Sequence, residues 1–394
     1  MPSRNEYIRA VLPRYLKGTK EEKTRILDEL VANTGYHRDY AIWKLRDFQM
    51  HPPAEREDRV RKKRARTYGP DCLPALKEIW EFLEYPCGER LQPYLPVIVP
   101  KLEQARFLVL APSVRSKLLQ MSISTIDRLL KDCRRVRRRQ WQATTKPGTL
   151  LKHQIPVRQE RWPDNTVPGY AEVDFVAHCG DENVGDYVST LSFTDIATTW
   201  MEHGAIWGKS QARTVQSLET IAKRLPFTLH GLDPDNDGQF INWHLKRWCD
   251  GRNIGFTRSR AYRKNDNAHI EQKNWSTVRR VLGYQRIDTS RQWRLMQQLY
   301  AGPLRDWQNF FQPTLKLKEK IRRGARVTKR HDVGRTPYQR VLESPAVPGE
   351  NKAWLRVYYA SLDPVAIKRQ MDAILKTIST INRSRARPLL HRGS

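Results

Sequence analysis

DPDNDGQF at 233–240 and KNDNAHIEQKNW at 264–275 are the stretches on which the reading of this chain turns. The apolar run Phe227–Leu232 predicts a β-strand that stops in an acidic turn at Asp235, and a helix is expected from about Phe240 to Cys249. The second stretch opens a helix whose apolar stripe is Trp275, Val278 and Leu282, at i+4, i+7 and i+11 from Glu271. Glu271 therefore falls on the buried side of its helix. A carboxylate there is costly unless a cation or donor answers it, so the position calls for a metal ion or a salt-bridge partner. Glu271 follows Asp235 by 36 positions.

Upstream, YAEVDFVAH at 170–178 alternates Ala171, Val173, Phe175 and Ala177 on one face of a strand and puts Asp174 on the other, in mid-strand where β-propensity disfavours Asp. Asp174, Asp235 in DNDGQF and Glu271 in NDNAHIEQKN together resemble the Asp…Asp…Glu triad of the retroviral-integrase superfamily, and closely its bacterial insertion-sequence transposases. The resemblance covers roughly residues 160–312. It implies a ribonuclease H-like α/β catalytic domain, a mixed five-stranded sheet with helices, in which the first strand lies beside the fourth. Asp174, Asp235 and Glu271 would then be both the catalytic residues and the metal ligands. The implied cofactor is two Mg²⁺ ions, with Mn²⁺ able to substitute. Two hard cations stabilise the attacking and leaving oxygens of an in-line phosphodiester displacement and take oxygen ligands. Asp174 is the candidate to bridge the ions, with Asp235 and Glu271 each serving one.

Other acids compete. Asp233 and Asp237 flank Asp235, and the family word is more often DNGSEF, so this chain departs from it at Asp237 and Gln239. Glu172 shares the face of Asp174 but lies outside the matched motif. Asp195 matches a frequent family aspartate and is expected to be structural or to support the ligands. His178 is expected to be a satisfied strand-end histidine rather than a ligand. Any one of these acids alone looks like a cap or turn residue; the three with their flanking words do not.

Composition points the same way. Lys+Arg 71 against Asp+Glu 42 gives a net charge of +29, which favours a polyanionic partner. No apolar run approaches the ~18 residues needed to span a bilayer, and the N-terminus has no charged-then-apolar leader, so no membrane partner is expected. The expectation is a bacterial, cytoplasmic, nucleoid-associated protein. Cys72, Cys87, Cys133, Cys179 and Cys249 are scattered without a CxxC pair, and the zinc-binding His/Cys module of retroviral integrases is lacking.

In chain order, residues 1–58 read as an all-α helix-turn-helix module. Ile8, Val11, Ile26, Leu27 and Leu30 face inward, Gly35 sits in a turn, and a further helix starts near His37, with His37, Arg38 and Lys44 facing outward. Residues 59–70 are a basic linker whose Arg61, Lys62, Lys63, Arg64 and Arg66 suit a DNA backbone. Residues 71–145 read as a second helical module, with Ser122 as an N-cap and Ser124, Thr125, Arg128 and Lys131 on its outer face, followed by Arg137 and Arg138. A linker (146–163), the catalytic core (164–312) and a small basic C-terminal region with a terminal helix (313–394) complete the chain. Lys264, Lys273, Asn274 and Arg279 surround the Glu271 helix as candidate phosphate contacts. Trp80, Trp243, Trp248 and Trp275 read as packing residues, 292–311 as one helix, and Arg326–Lys329 as a strand of a small barrel. Ile367, Met371, Ile374 and Ile378 form a stripe that could dock on this chain or on a partner subunit.

The expected activity is that of a DNA transposase or integrase that binds terminal inverted repeats, nicks the ends and joins their 3′-hydroxyls to target DNA. Its partners would be transposon-end duplex, target DNA and further copies of itself, as a dimer or tetramer; whether a helper ATPase takes part is open. Two alternatives stand beside this: a nuclease of the same fold that does not join, and a catalytically inactive DNA-binding regulator.

Overall fold

The computed structural model describes residues 4–51, 67–135, 167–182, 184–208, 210–234, 243–257, 275–324 and 326–385. They form two compact units, divided between Thr67 and Tyr68. The first unit is all helical, with α1 (Arg4–Lys17), α2 (Lys20–Thr34) and α3 (Arg38–Met50). A capping box of Thr19 and Glu22 starts α2, and Gly35, at φ 70, ends it in the left-handed conformation that a residue without Cβ adopts freely. Ile8, Leu27, Leu30, Ala41, Leu45 and Phe48 make the core of this unit.

The second unit begins with α4 (Leu73–Phe82), α5 (Leu95–Gln104), α6 (Pro112–Gln120) and α7 (Ile123–Leu129). The Ser122 side chain accepts from the Thr125 backbone N–H and caps α7, as its sequence position predicts. These helices share one hydrophobic core with distant parts of the chain: Leu76, Ile98 and Ile126 pack in the same cluster as Trp307, Phe310, Met371 and Ile378.

Five strands follow: β1 (Tyr170–Ala177), β2 (Val188–Asp195), β3 (Met201–Trp207), β4 (Gly231–Pro234) and β5 (Gly255–Phe256). The sheet order is β3-β2-β1-β4-β5. β3, β2 and β1 pair antiparallel, while β1, β4 and β5 pair parallel. This is the mixed five-stranded arrangement, first strand beside fourth, of the ribonuclease H-like order. Between the strands run α8 (Gln211–Ala222) and α9 (Trp243–Asp250). On one face of the sheet, Ala171, Val173, Leu191, Phe193 and Leu232 pack with Leu218 and Ile221 of α8 and Leu245 and Trp248 of α9. On the other, Val176, Val188 and Ala205 belong to the large core with Met296 and Leu299 of α10 (Ser290–Ala301).

Several expectations shift. β3 starts at Met201, because Asp195 N–H donates to the Trp200 carbonyl (2.8 Å) and closes a turn in which Thr199 has φ 60. β4 starts at Gly231 rather than Phe227, where its partner β1 begins: Tyr170 pairs with Gly231. The single helix expected over 292–311 is broken after Ala301 by Gly302-Pro303, since Pro303 has no N–H to continue the ladder; a short α-helical turn Pro303–Asp306 and a π-helical segment Trp307–Phe311 follow. Trp243 is 52% exposed and is not a packing residue. The small barrel is instead a two-stranded hairpin, β6 (Leu317–Arg323) and β7 (Arg326–His331). Helices α11 (Pro337–Glu343), α12 (Gly349–Ser361) and α13 (Pro364–Arg385) end the unit. The stripe of α13 docks on this chain: Ile367, Met371, Ile374 and Ile378 are buried in the large core.

A charge cluster centred on the fully buried Glu202 locks β3 to the C-terminal half. The Glu202 carboxylate meets Arg305 at 2.8 Å and Arg224 at 3.1 Å, and accepts from the Trp200 indole N–H. Arg305 also pairs with Asp306, which accepts from the Tyr358 hydroxyl of α12. Removing one partner of such a desolvated network leaves a buried charge without its counter-charge, so Glu202→Ala should lower stability by about 3–5 kcal/mol in urea unfolding. A loss below 1 kcal/mol would show that the cluster is not desolvated in solution.

His178, directly after β1, is fully buried, and its Nε2 lies 2.7 Å from the Thr190 hydroxyl, which meets the Tyr300 hydroxyl at 2.5 Å. Burial, with a smaller contribution from the Arg279 charge, lowers its pKa to about 3. The folded state therefore favours the neutral ring, and its contribution is fully present above the unfolded pKa near ~6.5 and lost as pH falls from there toward about 3. Between pH 6 and 4.5, wild type should lose up to about 1.4 kcal/mol per pH unit more than His178→Gln. Parallel stability profiles of the two proteins would contradict this.

Candidate active site

Asp174 lies in the middle of β1, half-buried, directly opposite Ser192 of β2. Its Oδ1 accepts from the Phe175 backbone N–H at 2.7 Å. The strand is held from both sides. On the parallel side the register runs Glu172↔Asp233 and Val173↔Pro234, so the paired ladder ends one residue before Asp174 on β1. Asp235 is the next residue after Pro234 in the chain and lies outside the described residues, as does Glu271. Of the helix expected to carry Glu271, a wide π-type turn over Trp275–Arg279 and a last turn Arg280–Leu282 are described. Val278 and Leu282 are buried in the large core, as the stripe predicts. Among the described residues no group of three or more His, Cys, Asp or Glu could hold a metal.

The competing acids separate by environment. Asp233 is buried, and its Oδ1 accepts from the Thr257 hydroxyl at 3.0 Å, which ties the end of β4 to the residue after β5. Asp195 is also buried: it accepts from the Gly169 N–H (2.7 Å), the Thr198 N–H (2.7 Å) and the Thr198 hydroxyl (2.6 Å). Burial pushes its pKa up to about 6 against the lowering effect of these donors and of Lys316. Three donors and the site at the strand ends make it a brace that sets where β1 begins. Glu172 is 2% exposed and, with Asp195, Thr194, Met201, Arg280 and Lys316, lines a cavity of about 280 Å³.

The face of the sheet that carries Asp174 is unexpectedly polar. Thr190, Ser192 and Thr194 of β2 stand opposite Val176, Asp174 and Glu172, and His203 of β3 stands opposite Ser192. Ser192 Oγ lies 3.3 Å from His203 Nδ1, and His203 Nε2 lies 2.9 Å from Gln308 Oε1. This network went unnoticed in the sequence, although the alternation of Thr190, Ser192 and Thr194 with Leu191 and Phe193 is a period-two signal for it.

The candidate DNA contacts fall into four groups. Arg61, Lys62, Lys63, Arg64, Arg66, Arg137, Arg138, Lys264, Lys273 and Asn274 lie outside the described residues. Ser124, Arg128 and Lys131 are exposed on and just beyond α7, with Thr125 half-buried beside them. In the first unit, His37 is exposed at the N-cap of α3 and lies 3.4 Å from Asp39, while Arg38 pairs with Asp28. Lys44 does not face outward as expected: its side chain is 16% exposed, near Asp47 and over the rings of Trp43 and Phe48. Arg279 is half-buried over the Tyr284 ring, 4.9 Å from its centroid, rather than on an outer flank. No helix among the described residues is long and apolar enough to cross a membrane.

No family model matches the sequence. Superposition finds similarity to the catalytic core domain of BIV integrase (TM-score 0.27, 13% identity, 43% of this chain and 91% of that one). A simian T-cell lymphotropic virus intasome in complex with PP2A regulatory subunit B56 gamma gives TM-score 0.32 and 12% identity, over 63% of this chain and 76% of that one. The HTLV-2 integrase catalytic core domain in complex with magnesium gives 0.28 and 10%, over 38% and 93%. In sequence, the chain is 40% identical over 331 residues to the uncharacterized protein y4rM of Sinorhizobium fredii (strain NBRC 101917 / NGR234), a match covering 84% of this chain and 93% of the relative. At that identity, over nearly the whole of the relative, the chain belongs to the same family as the Sinorhizobium fredii protein y4rM.

Proposed function

We propose that this protein is a DNA transposase or integrase of the Asp…Asp…Glu type, acting at transposon ends and joining their 3′-hydroxyls to target DNA. The observation that carries the reading is the parallel pairing of β1 with β4, which brings Asp174 to the end of a ladder whose other strand leads straight into the DNDGQF word. The residues fit a divalent metal: the Asp174 carboxylate offers hard oxygens, is half-buried, and sits on the polar face of the sheet. Asp174, Asp235 and Glu271 would hold the ions. Two Mg²⁺ supply charge stabilisation at the attacking and leaving oxygens of a phosphodiester.

The chain's own part is positioning. The Phe175 N–H holds Asp174 Oδ1, and pairing with β2 and β4 on either side fixes the strand beneath it. The exposed Ser124, Arg128 and Lys131, the basic segments at 59–70 and 133–142, and the net charge of +29 suit duplex phosphates. Two ends must be joined, so the working form is a homo-oligomer on paired ends, in the bacterial nucleoid.

The test is incubation of the purified protein with a labelled duplex, taken from the flanks of its own gene, in Mg²⁺. Wild type should yield nicked and joined products. Asp174→Asn and Asp235→Ala should each lower their formation by at least about 10²-fold while retaining duplex binding. Full strand transfer by either variant removes that residue from the reaction; nicking without joining by wild type turns the reading to a nuclease.

A further inference from the structure

Gly283 closes the last turn after the Glu271 stretch, and the chain reaches α10 through residues 283–289, which are neither helix nor strand. Hydrogen bonds from two sides hold this connection. On the sheet side, the Val188 N–H donates to the Ile287 carbonyl at 2.7 Å and the Ile287 N–H to the His178 carbonyl at 3.0 Å. The His178 N–H donates in turn to the Val188 carbonyl at 3.0 Å. Ile287, fully buried, is thereby stitched between the ends of β1 and β2. β4 runs parallel to β1, so this is also the end toward which it leads into the DNDGQF word. On the opposite side, Asn382 of α13 donates to Gln285 Oε1 at 2.9 Å and accepts from Gln292 Nε2 at 2.7 Å. Gln285 Nε2 reaches back to the Leu282 carbonyl at 3.1 Å.

Arg286 gathers these pieces. Its guanidinium donates to the carbonyls of Cys179 (3.1 Å), Glu182 (2.8 Å), Val184 (2.7 Å) and Asp186 (3.4 Å), and it pairs with Asp288 at 2.8 Å. The β1–β2 loop is shaped to wrap it. Gly180 has φ 65, and a Cβ there would stand 3.0 Å from Arg286 Cβ. A planar fork of N–H donors can hold several carbonyls of one loop at once, which the single ammonium of a lysine does not reproduce. The buried stripe of Val278 and Leu282 settles which face of its segment turns inward. Height along the sheet needs directional contacts, because a hydrogen bond weakens steeply once its angle and distance are lost.

We propose that Arg286 is a positioning residue for the metal site: it holds the connection that follows Glu271 in the chain at a fixed height against the strand that carries Asp174. This rests on the Asp…Asp…Glu reading. Asp174 precedes His178 by four residues, about 13 Å along β1, so Arg286 acts through the backbone rather than on a reacting group.

The experiment titrates the full chain with Mn²⁺, reading the free ion by electron paramagnetic resonance, for wild type, Arg286→Gln, Arg286→Lys, Arg252→Gln and Asp174→Asn. Both Arg286 variants should bind Mn²⁺ about 10-fold or more weakly and need correspondingly more Mg²⁺ for half-maximal nicking, with KM for the duplex unchanged. Loss of a positive charge would by itself strengthen cation binding, so weaker binding by Arg286→Gln is not a charge effect. Arg252→Gln, which breaks an exposed pair with Glu219, should bind as wild type. If Arg286→Gln does not fold, Asn382→Ala, acting on the same connection from α13, takes its place and should show the same weakening. Wild-type Mn²⁺ affinity in Arg286→Gln, or in Asn382→Ala in its place, would overturn the proposal, as would an equal loss in Arg252→Gln. Wild-type affinity in Arg286→Lys would reduce the residue to its charge and overturn it too. Those outcomes leave the metal-site reading standing, whereas Mn²⁺ bound no more tightly by wild type than by Asp174→Asn would overturn that reading and the role of Arg286 with it.

Discussion

The parallel pairing of β1 with β4 is the constraint from which the sheet-bearing part of the second unit follows. Parallel neighbours cannot be joined by a tight turn; the chain must cross over, and β2, β3 and α8 together are that crossover. Once β1 is central, both its faces are covered. The side toward α8 and α9 is apolar, and the other carries Asp174 among Ser192, Thr190 and His203. Asp195 sets the register by gripping Gly169 just before β1 and Thr198 in the β2–β3 turn. Its three donors fall short of compensating its desolvation, hence the raised pKa, and the carboxylate is retained as a brace.

The second unit is tied together by charges as well as by apolar contact. Glu202 holds Arg305 and Arg224 in the interior, and Asp306 carries the link on to Tyr358. Nearer the surface, Glu84 after α4 meets both Arg280 and Lys368, so the first helices, the turn that follows the Glu271 segment, and α13 converge on one carboxylate. Together with the shared core of Ile98, Phe310 and Met371, this makes one compact body of segments that sequence reading divides among three.

Local signals are legible where local physics decides. The N-cap at Ser122, the turn at Gly35 and the buried stripe of Val278 and Leu282 all follow from residue type and spacing. Features that depend on what lies opposite are not encoded in a short window. Lys44 looks outward on a helical wheel but lies over Trp43 and Phe48, and Trp243 looks like core but is exposed because α9 turns Leu245 and Trp248 to the sheet instead. The polar face of β2 has the same cause: a Thr/Ser alternation looks solvent-facing until α10 and the π-helical Trp307–Phe311 segment cover it, supplying Tyr300 and Gln308 as partners.

The sequence by itself determined the order of strands and helices, the acidic words and the cationic excess, because periodicity, capping and charge are properties of short windows. Only the tertiary structure decided that Asp174 stands beside the end of β4, that Asp195 and Asp233 are braces, that the terminal helix docks on its own chain, and that the basic C-terminal segment is a two-stranded ribbon. Each of these depends on desolvation or pairing between residues tens to hundreds of positions apart, which no local pattern encodes.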